Sequence, residues 1–295
     1  MHFADRLTEA MKKKNSVVCV GLDPQLSKLP AVLLDKMKGQ YGATTSAAAN
    51  AYLEFNKNII DAVKDLVVAV KPQLAFYEEL GHEGIRAFEE TCRYAHAAGL
   101  IVIADGKRND IGSTAEAYAR GFLGKVDLFG EKKSIQEIDA LTVNAYLGID
   151  GVRPFIKVCE EEGKGIFILV KTSNPSSGDV QDRVTADEKI SVAQLIGHFV
   201  ESWGSDCIGE SGYSCVGAVV GATYPAEAAK LRKLMPTSIF LVPGYGAQGA
   251  GAEDTKPCFD AKGLGALVVS ARGIIFAEDP RAAAQAMKEE LNKVR

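Results

Sequence analysis

A (β/α)8 barrel of the TIM type is the fold class this sequence predicts, and three observations predict it. Eight short apolar runs recur along 295 residues. Most are nearly continuous in Val, Ile, Leu and Ala, as parallel strands covered on both faces must be. Helix-compatible stretches separate them, and eight such units in about 270 residues match the usual size of the barrel. Polar or charged residues then gather at the C-terminal ends of the runs, where a barrel builds its site. A doubly wound open sheet with a second domain would use the same runs. No Pro/Ser-rich linker, low-complexity tract or shift in composition marks a boundary, so one barrel domain over residues 1–295, opening with an N-terminal helix, is the expectation.

"MHFADRLTEAMKKKN" opens the chain with Phe3, Leu7 and Met11 at helical spacing, the pattern of an amphipathic first helix. It is mixed in charge and lacks the apolar core and cleavage site of a secretory signal. The first two runs are "VVCVGLD" (Val17–Asp23) and "LVVAVKP" (Leu66–Pro72). "AFYEELGHEGIRAFEETCRYAHAAG" follows with apolar residues at helical spacing and stops at Gly99, a candidate C-cap. After the third run, "LIVIADGK" (Leu100–Lys107), Ser113 and Glu116 form an S-x-x-E pattern ahead of "AYARGFL", which predicts a capping box. "IDALTVN" (Ile138–Asn144), "GIFILVKTS" (Gly165–Ser173) and "CVGAVVGAT" (Cys215–Thr223) come next, and Pro225 is placed for the first turn of a helix. "SIFLVPG" (Ser238–Gly244) and "LGALVVSAR" (Leu264–Arg272) complete the series.

Hydrophobic residues make up 47% of the chain and charged residues 24%, which is ordinary for a soluble globular protein. A formal net charge of −4 gives no reason to expect a nucleic-acid or membrane surface. No apolar run approaches the roughly 18 residues of a membrane span. Six cysteines without a C-x-x-C pair predict reduced, mostly buried thiols. Four histidines stand apart without metal-binding spacing, so neither a metal centre nor a His-driven triad is expected. A cytoplasmic location follows as the default.

Asp23, Lys71, Asp105 with Lys107, Asn144, Lys171 to Ser173, Thr223 and Arg272 all fall at C-terminal run ends, while the opposite ends look bland. The densest stretch is "IVIADGKRNDIGST", Ile101 to Thr114. Asp105 and Lys107, two apart on a strand, should point to one side, with Gly106 leaving room between them. Lys71 closes the preceding run, and Asp110 lies three residues past Lys107 in the turn. Two lysines and two carboxylates are then expected to pack together. Opposite charges within about 4–6 Å favour the ionised form of each, and such groups titrate as a set. Surface ion pairs worth about 0–1 kcal/mol each are the plainer alternative. That reading suits Arg108 and Asn109 better than Lys71, Asp105 and Lys107, which directly follow core strands.

"VPGYGAQGAG", Val242 to Gly251, satisfies G-x-G-x-x-G through Gly244, Gly246 and Gly249. Its late position and the lack of a convincing helix start after it count against a dinucleotide fingerprint. In a barrel, the loops after strands seven and eight commonly hold a phosphate. Gln248 would add an amide donor and Arg272 a planar fork for phosphate oxygens. "VKTSNPSSGDVQDR", Val170 to Arg183, leaves the fifth run as a small, polar loop with Pro175 and Gly178, a composition that suits a mobile flap.

With these residues in view, "DGKRNDIGST" resembles the D-x-K-x-x-D-I signature of the orotidine 5′-phosphate decarboxylase family, in its longer bacterial-type form. "GLDP", "VKPQLAFYE", "KTSNP", "VPGYGAQG" and "SARG" fall in the order the family implies, and the resemblance runs from about residue 16 to residue 273. It implies a phosphate-binding barrel that converts orotidine 5′-monophosphate into UMP and carbon dioxide in de novo pyrimidine biosynthesis, with neither metal nor organic cofactor. By resemblance, Lys107 is the proton donor to C6 of the pyrimidine. Lys71, Asp105 and Asp110 complete an alternating charged array, with Asp110 reaching in from the second subunit of a homodimer. Ile111 and Thr114 would cross the same interface. Asp23 and Lys71 match ribose-hydroxyl contacts, Ser173 a pyrimidine contact, Pro243 a base-pocket wall, and Gln248 with Arg272 the phosphate contacts. Ala145 in "VNAYLG" departs from the proline of this subgroup, which touches loop shape after the fourth strand.

The residues themselves fit that chemistry. Loss of carbon dioxide from C6 leaves an electron pair with no adjacent carbonyl to spread it, so a pre-placed ammonium must both attract and quench it. Other readings stay open on sequence alone: a Mg²⁺-dependent reaction of a sugar phosphate on a related barrel, a Schiff-base aldolase using Lys71, Lys107 or Lys171, or a silent phosphate-ligand binder.

Overall fold

The computed structural model describes residues 1–295. Ten strands form: β1 (Val18–Leu22), β2 (Ala69–Pro72), β3 (Ile101–Arg108), β4 (Lys125–Leu128), β5 (Glu131–Ser134), β6 (Ala140–Val143), β7 (Gly165–Lys171), β8 (Val216–Val220), β9 (Phe240–Val242) and β10 (Ala266–Ser270). Eight of them pair in parallel and close on themselves in the order β1-β2-β3-β6-β7-β8-β9-β10. Every apolar run of the sequence supplies one barrel strand. Their continuity in aliphatics has a direct cause: β1, β6, β8, β9 and β10 are buried along their whole length, between the barrel interior and the outer helices. The expected barrel is the observed one.

The first helix, Phe3–Lys14, buries Phe3, Leu7 and Met11 as its spacing requires. It lies across the N-terminal ends of the strands. Phe3 meets Phe167 edge-on with ring centroids 6.0 Å apart. Gly165, the first residue of β7, leaves the space this needs, since a Cβ there would come within 2.2 Å of the Phe3 ring. Arg6 donates to Asp139 at 2.6 Å, and the second oxygen of Asp139 accepts the Val102 N–H at 2.9 Å. The bottom of the barrel is therefore less bland than expected, because it carries a partly buried ion pair that ties the helix to β3 and β6.

Gly99 ends the helix Gly81–Ala97 as expected, at φ +76°. The Gly99 N–H donates to His96 O and the Leu100 N–H to Ala95 O, which closes the helix end. Pro225 is the first residue of the helix Pro225–Leu234, also as expected. The capping box at Ser113 is not formed. Helix Gly112–Leu123 starts before Ser113, and the extended N-cap is Ile111, which has no side chain able to cap. Ser113 already lies inside the first turn, where its hydroxyl cannot take the cap position.

Three elements carried no signal that the sequence reading used. Helices Ala31–Tyr41 and Thr45–Val63 fill the connection between β1 and β2, the second capped by Thr44. The hairpin β4–β5 precedes β6 and exposes Phe129 at its tip. All six cysteines are buried and unpaired. No helix is long and apolar enough to cross a membrane.

Candidate active site

A cavity of about 560 Å³ opens at the C-terminal ends of the barrel strands, a size that suits a small-molecule ligand. Of the eleven residues singled out from the sequence, eight line it: Asp23, Lys71, Asp105, Lys107, Ser173, Pro243, Gln248 and Arg272. Asp110, Ile111 and Thr114 do not.

Asp105 is the centre of the arrangement. Its Oδ2 accepts from Lys71 Nζ at 2.6 Å and from Gln73 Nε2 at 2.9 Å. Its Oδ1 accepts from Lys107 Nζ at 2.6 Å and from the Thr142 hydroxyl at 2.9 Å. Four donors therefore hold one buried carboxylate and fix its plane. Burial would raise its pKa, but Lys71 and Lys107 outweigh burial and hold the carboxyl well below the usual carboxylate range. Lys71 answers in kind. Burial disfavours its charge, yet the carboxylates of Asp105 and Asp23 raise it above the ordinary lysine value.

Asp105 and Lys107 reach each other, as expected, but not through a regular strand. Ala104 stands opposite Leu141, whereas Arg108 stands opposite Val143, so β3 bulges against β6. Lys107 itself takes φ +46°, a left-handed conformation that costs a non-glycine residue about 1–3 kcal/mol. The Lys107 N–H donates to Thr142 Oγ1 at 3.0 Å, which pins that conformation. Gly106 eases the packing here, because a Cβ would come within 2.8 Å of the Leu74 terminal methyl and force that side chain to shift. The result is an ammonium tied to Asp105 at the end of a side chain that remains 46% exposed.

Asp23 follows β1 and faces the same cluster. Its Oδ1 is buried without a hydrogen-bond partner. Burial raises its pKa, and the attraction of Lys71 offsets this only in part.

The opposite side of the cavity is built by the loops after the last two barrel strands. Gly244 and Gly246 take φ +104° and +72°, which lets the loop fold back so that Tyr245, Ala247 and Gln248 border the cavity. Arg272 begins the turn after β10. The glycine motif thus serves a barrel loop, as expected, and only the single helical turn Ala252–Thr255 follows it.

Spacing alone put Asp110 beside Lys107 within one chain, and the fold does not. Its Oδ1 accepts the Ile111 N–H at 2.8 Å, outside the cavity. The bulged end of β3 and the start of the next helix carry it outward, together with Ile111, which is 53% exposed, and Thr114. Arg108 follows the plainer reading: it pairs with Glu78 and lies 5.2 Å from the Phe122 ring centroid. Asn144 and Lys171 also lie outside the cavity lining. Ala145 is buried in a turn closed by the Gly148 N–H, so the departure from proline is accommodated without reaching the cavity.

Sequence reasoning missed Thr142 and Gln73. Both line the cavity, but Thr142 reads as a β-branched strand residue and Gln73 as an ordinary loop amide. Gln73 stands two residues after Lys71, which was its only signal.

Residues 16–287 match the family model described as Orotidine 5′-phosphate decarboxylase / HUMPS family. The chain is 48% identical over 277 residues to the orotidine 5′-phosphate decarboxylase of Rhodopirellula baltica, covering 94% of this chain and 89% of the relative. It is 43% identical over 277 residues to that of Caldicellulosiruptor bescii, covering 94% and 90%. A solved structure of Leishmania donovani OMP decarboxylase matches with a TM-score of 0.77 at 32% identity, covering 100% of this chain and 98% of that one.

Proposed function

Because this chain belongs to the orotidine 5′-phosphate decarboxylase / HUMPS family and its curated relatives are decarboxylases, we propose that it converts orotidine 5′-monophosphate into UMP and carbon dioxide, with Lys107 delivering the proton to C6. The observation that carries this reading is the Asp105 carboxylate held between two ammonium groups at one side of the cavity, with Gln248 and Arg272 on the lining of the same cavity.

The phosphate sits against Gln248 and Arg272, whose planar fork suits its oxygens. The ribose hydroxyls reach Lys71 and the partnerless Oδ1 of Asp23, which gains the donor it lacks. The pyrimidine lies along Pro243 toward Ser173. This pose brings the substrate carboxylate toward Asp105, whose ionised state the two lysines enforce. The C6–carboxylate bond breaks, the electron pair stays on C6, and carbon dioxide leaves. Lys107 then gives a proton to C6, becomes a neutral amine and recovers its proton from solvent. Binding the phosphate, remote from C6, supplies energy that holds the ring in this geometry.

The enzyme acts as a homodimer. A side groove of about 520 Å³ shares Asp23, Asp105 and Lys107 with the cavity and is lined on its outer side by Phe76, Glu78 and Arg108. It leaves one flank of the Lys107 ammonium open. Asp110 of the partner subunit fills that flank and completes the array, flanked by the partner's Ile111 and the partner's Thr114. The exposure of Ile111 and Thr114 in a single chain, and the place of Asp110 outside its own cavity, support the reading. One barrel domain spans residues 1–295, no metal or organic cofactor takes part, and six unpaired thiols support a cytoplasmic location.

The test follows orotidine 5′-monophosphate spectrophotometrically in the presence of a chelator. Loss of its absorbance with appearance of UMP is expected. No turnover, or turnover only after Mg²⁺ is restored, would overturn the reading in favour of a metal-dependent relative.

A further inference from the structure

Lys171 ends β7 with its side chain 1% exposed, yet it takes no part in the cavity lining. Its Nζ donates to Asp182 Oδ1 at 2.6 Å and lies 4.4 Å from the Tyr224 ring centroid. Asp182 belongs to the segment that the sequence marks as a candidate flap. Its side chain is 54% exposed, so the fold itself does not depend on burying it. Gly178 keeps room for this carboxylate, since a Cβ there would come within 2.9 Å of Asp182 Oδ2.

A second set of bonds joins the same segment to the strand end. Gln181 Oε1 accepts the Thr172 N–H at 2.9 Å, and Gln181 Nε2 donates to Thr172 Oγ1 at 2.8 Å. Gln181 thereby stands as part of the cavity wall, beside Ser173 and Asn174. The Tyr224 hydroxyl donates to Asn174 O at 3.2 Å, so the aromatic ring that covers Lys171 also holds the loop at Asn174.

We propose that Lys171 is a positioning residue that latches the segment 175–183 against the barrel through Asp182, and so fixes Ser173 and Gln181 in the cavity wall. The physical reason is the asymmetry of the pair. If the segment swings out, Asp182 gains water, whereas Lys171 gives up its carboxylate partner and keeps the Tyr224 ring face. Only the lysine end of the pair is buried, and a charge-assisted hydrogen bond given up there is not replaced as readily as at the exposed carboxylate, so opening is penalised at the lysine end. The loop is then a wall that opens against resistance, not a free flap.

The consequence for ligand binding rests on the proposed decarboxylase reading, because Ser173 matters there as a pyrimidine contact. The latch itself does not rest on it, and the test separates the two. Asp182→Ala and Asp182→Glu are compared with the full-length wild type by limited proteolysis without ligand and by steady-state kinetics with orotidine 5′-monophosphate. In Asp182→Ala, cleavage within 175–190 is expected to speed up at least tenfold and KM to rise about tenfold, with kcat changed less than KM and the added cleavage confined to that segment. Asp182→Glu, which keeps a carboxylate within reach of Lys171, is expected to restore most of both. Wild-type proteolysis and wild-type KM in Asp182→Ala would overturn the latch. So would equal damage in the Ala and Glu variants, which would show that the site tolerates no change of any kind. Faster proteolysis with unchanged KM would keep the latch and overturn its role in the cavity wall. Absence of turnover in the wild type would remove the decarboxylase reading and leave the proteolysis result standing.

Discussion

Thr142→Val removes one hydroxyl and keeps the shape of the side chain, at a position 1% exposed inside the barrel. That hydroxyl donates to Asp105 Oδ1 at 2.9 Å and accepts the Lys107 N–H at 3.0 Å. A hydrogen bond to a charged group contributes about 1.5–3 kcal/mol, and an N–H left without an acceptor costs about 1–3 kcal/mol. The same N–H is what holds Lys107 in its left-handed conformation, so its release lets the backbone relax and moves the ammonium. If about 3 kcal/mol of this is felt in the transition state, turnover falls on the order of 100-fold. The assay is orotidine 5′-monophosphate consumption with kcat and KM resolved separately. The loss is expected mainly in kcat, because Thr142 holds the catalytic pair and not the phosphate. Thr142→Ser keeps the hydroxyl and is expected to stay within a few-fold of wild type. A Thr142→Val enzyme within threefold of wild-type kcat would refute the reasoning that this hydroxyl positions Lys107.

Asp23→Asn is expected to raise stability near neutral pH by about 1–2 kcal/mol, since burial of the partnerless carboxylate is a cost, and to weaken nucleotide binding at least tenfold. The sign is set by the raised pKa of Asp23: the folded chain holds that proton more tightly than the unfolded one, so the penalty shrinks as pH falls through the folded value. The stability gap between variant and wild type should close in acid, and a gap that widens there would contradict the assignment. Arg272→Ala is expected to raise KM by about 10–100-fold, the loss of one or two charge-assisted bonds. With a substrate lacking the phosphate, the same substitution should have almost no effect. Equal losses on both substrates would place Arg272 elsewhere in the reaction. Mixing Asp110→Asn with Lys107→Ala protein should restore part of the activity through one intact site per mixed dimer. No recovery after confirmed subunit exchange would count against a shared site.

The barrel was legible because its strands are buried on both faces, and a run such as Val17–Asp23 has no other use for so many aliphatics. Although Lys171 at the end of β7 turns to Asp182, outside the cavity lining, the clustering of Lys71, Asp105 and Lys107 was legible because charges at the C-terminal ends of core strands gather at the mouth of the barrel. Thr142 and Gln73 were not, since a threonine inside a strand and an amide in a loop look alike whether or not they hold a carboxylate. Asp110 shows a different limit. Sequence distance placed it next to Lys107, but β3 bulges and the chain turns away, so a single chain leaves it outside the cavity lining, and only the proposed dimer would return it to the site. The capping pattern at Ser113 failed by a shift of two residues, because S-x-x-E does not encode which residue is extended, and Ile111 is. Helix Ala31–Tyr41 escaped because it buries only Met37 and so leaves almost no apolar stripe to read, whereas Thr45–Val63 carries a buried stripe and a Thr44 cap and was legible in the sequence but not read.

Lys107→Ala puts the whole account to its sharpest trial, with turnover and UMP binding measured on the same preparation. The ammonium at that position is expected to be the sole proton source for C6, so decarboxylation should drop below detection while UMP still binds within about tenfold of wild type. Turnover near that of the wild type, with binding intact, would mean that the proton comes from somewhere else and that the Asp105–Lys107 pair serves another purpose.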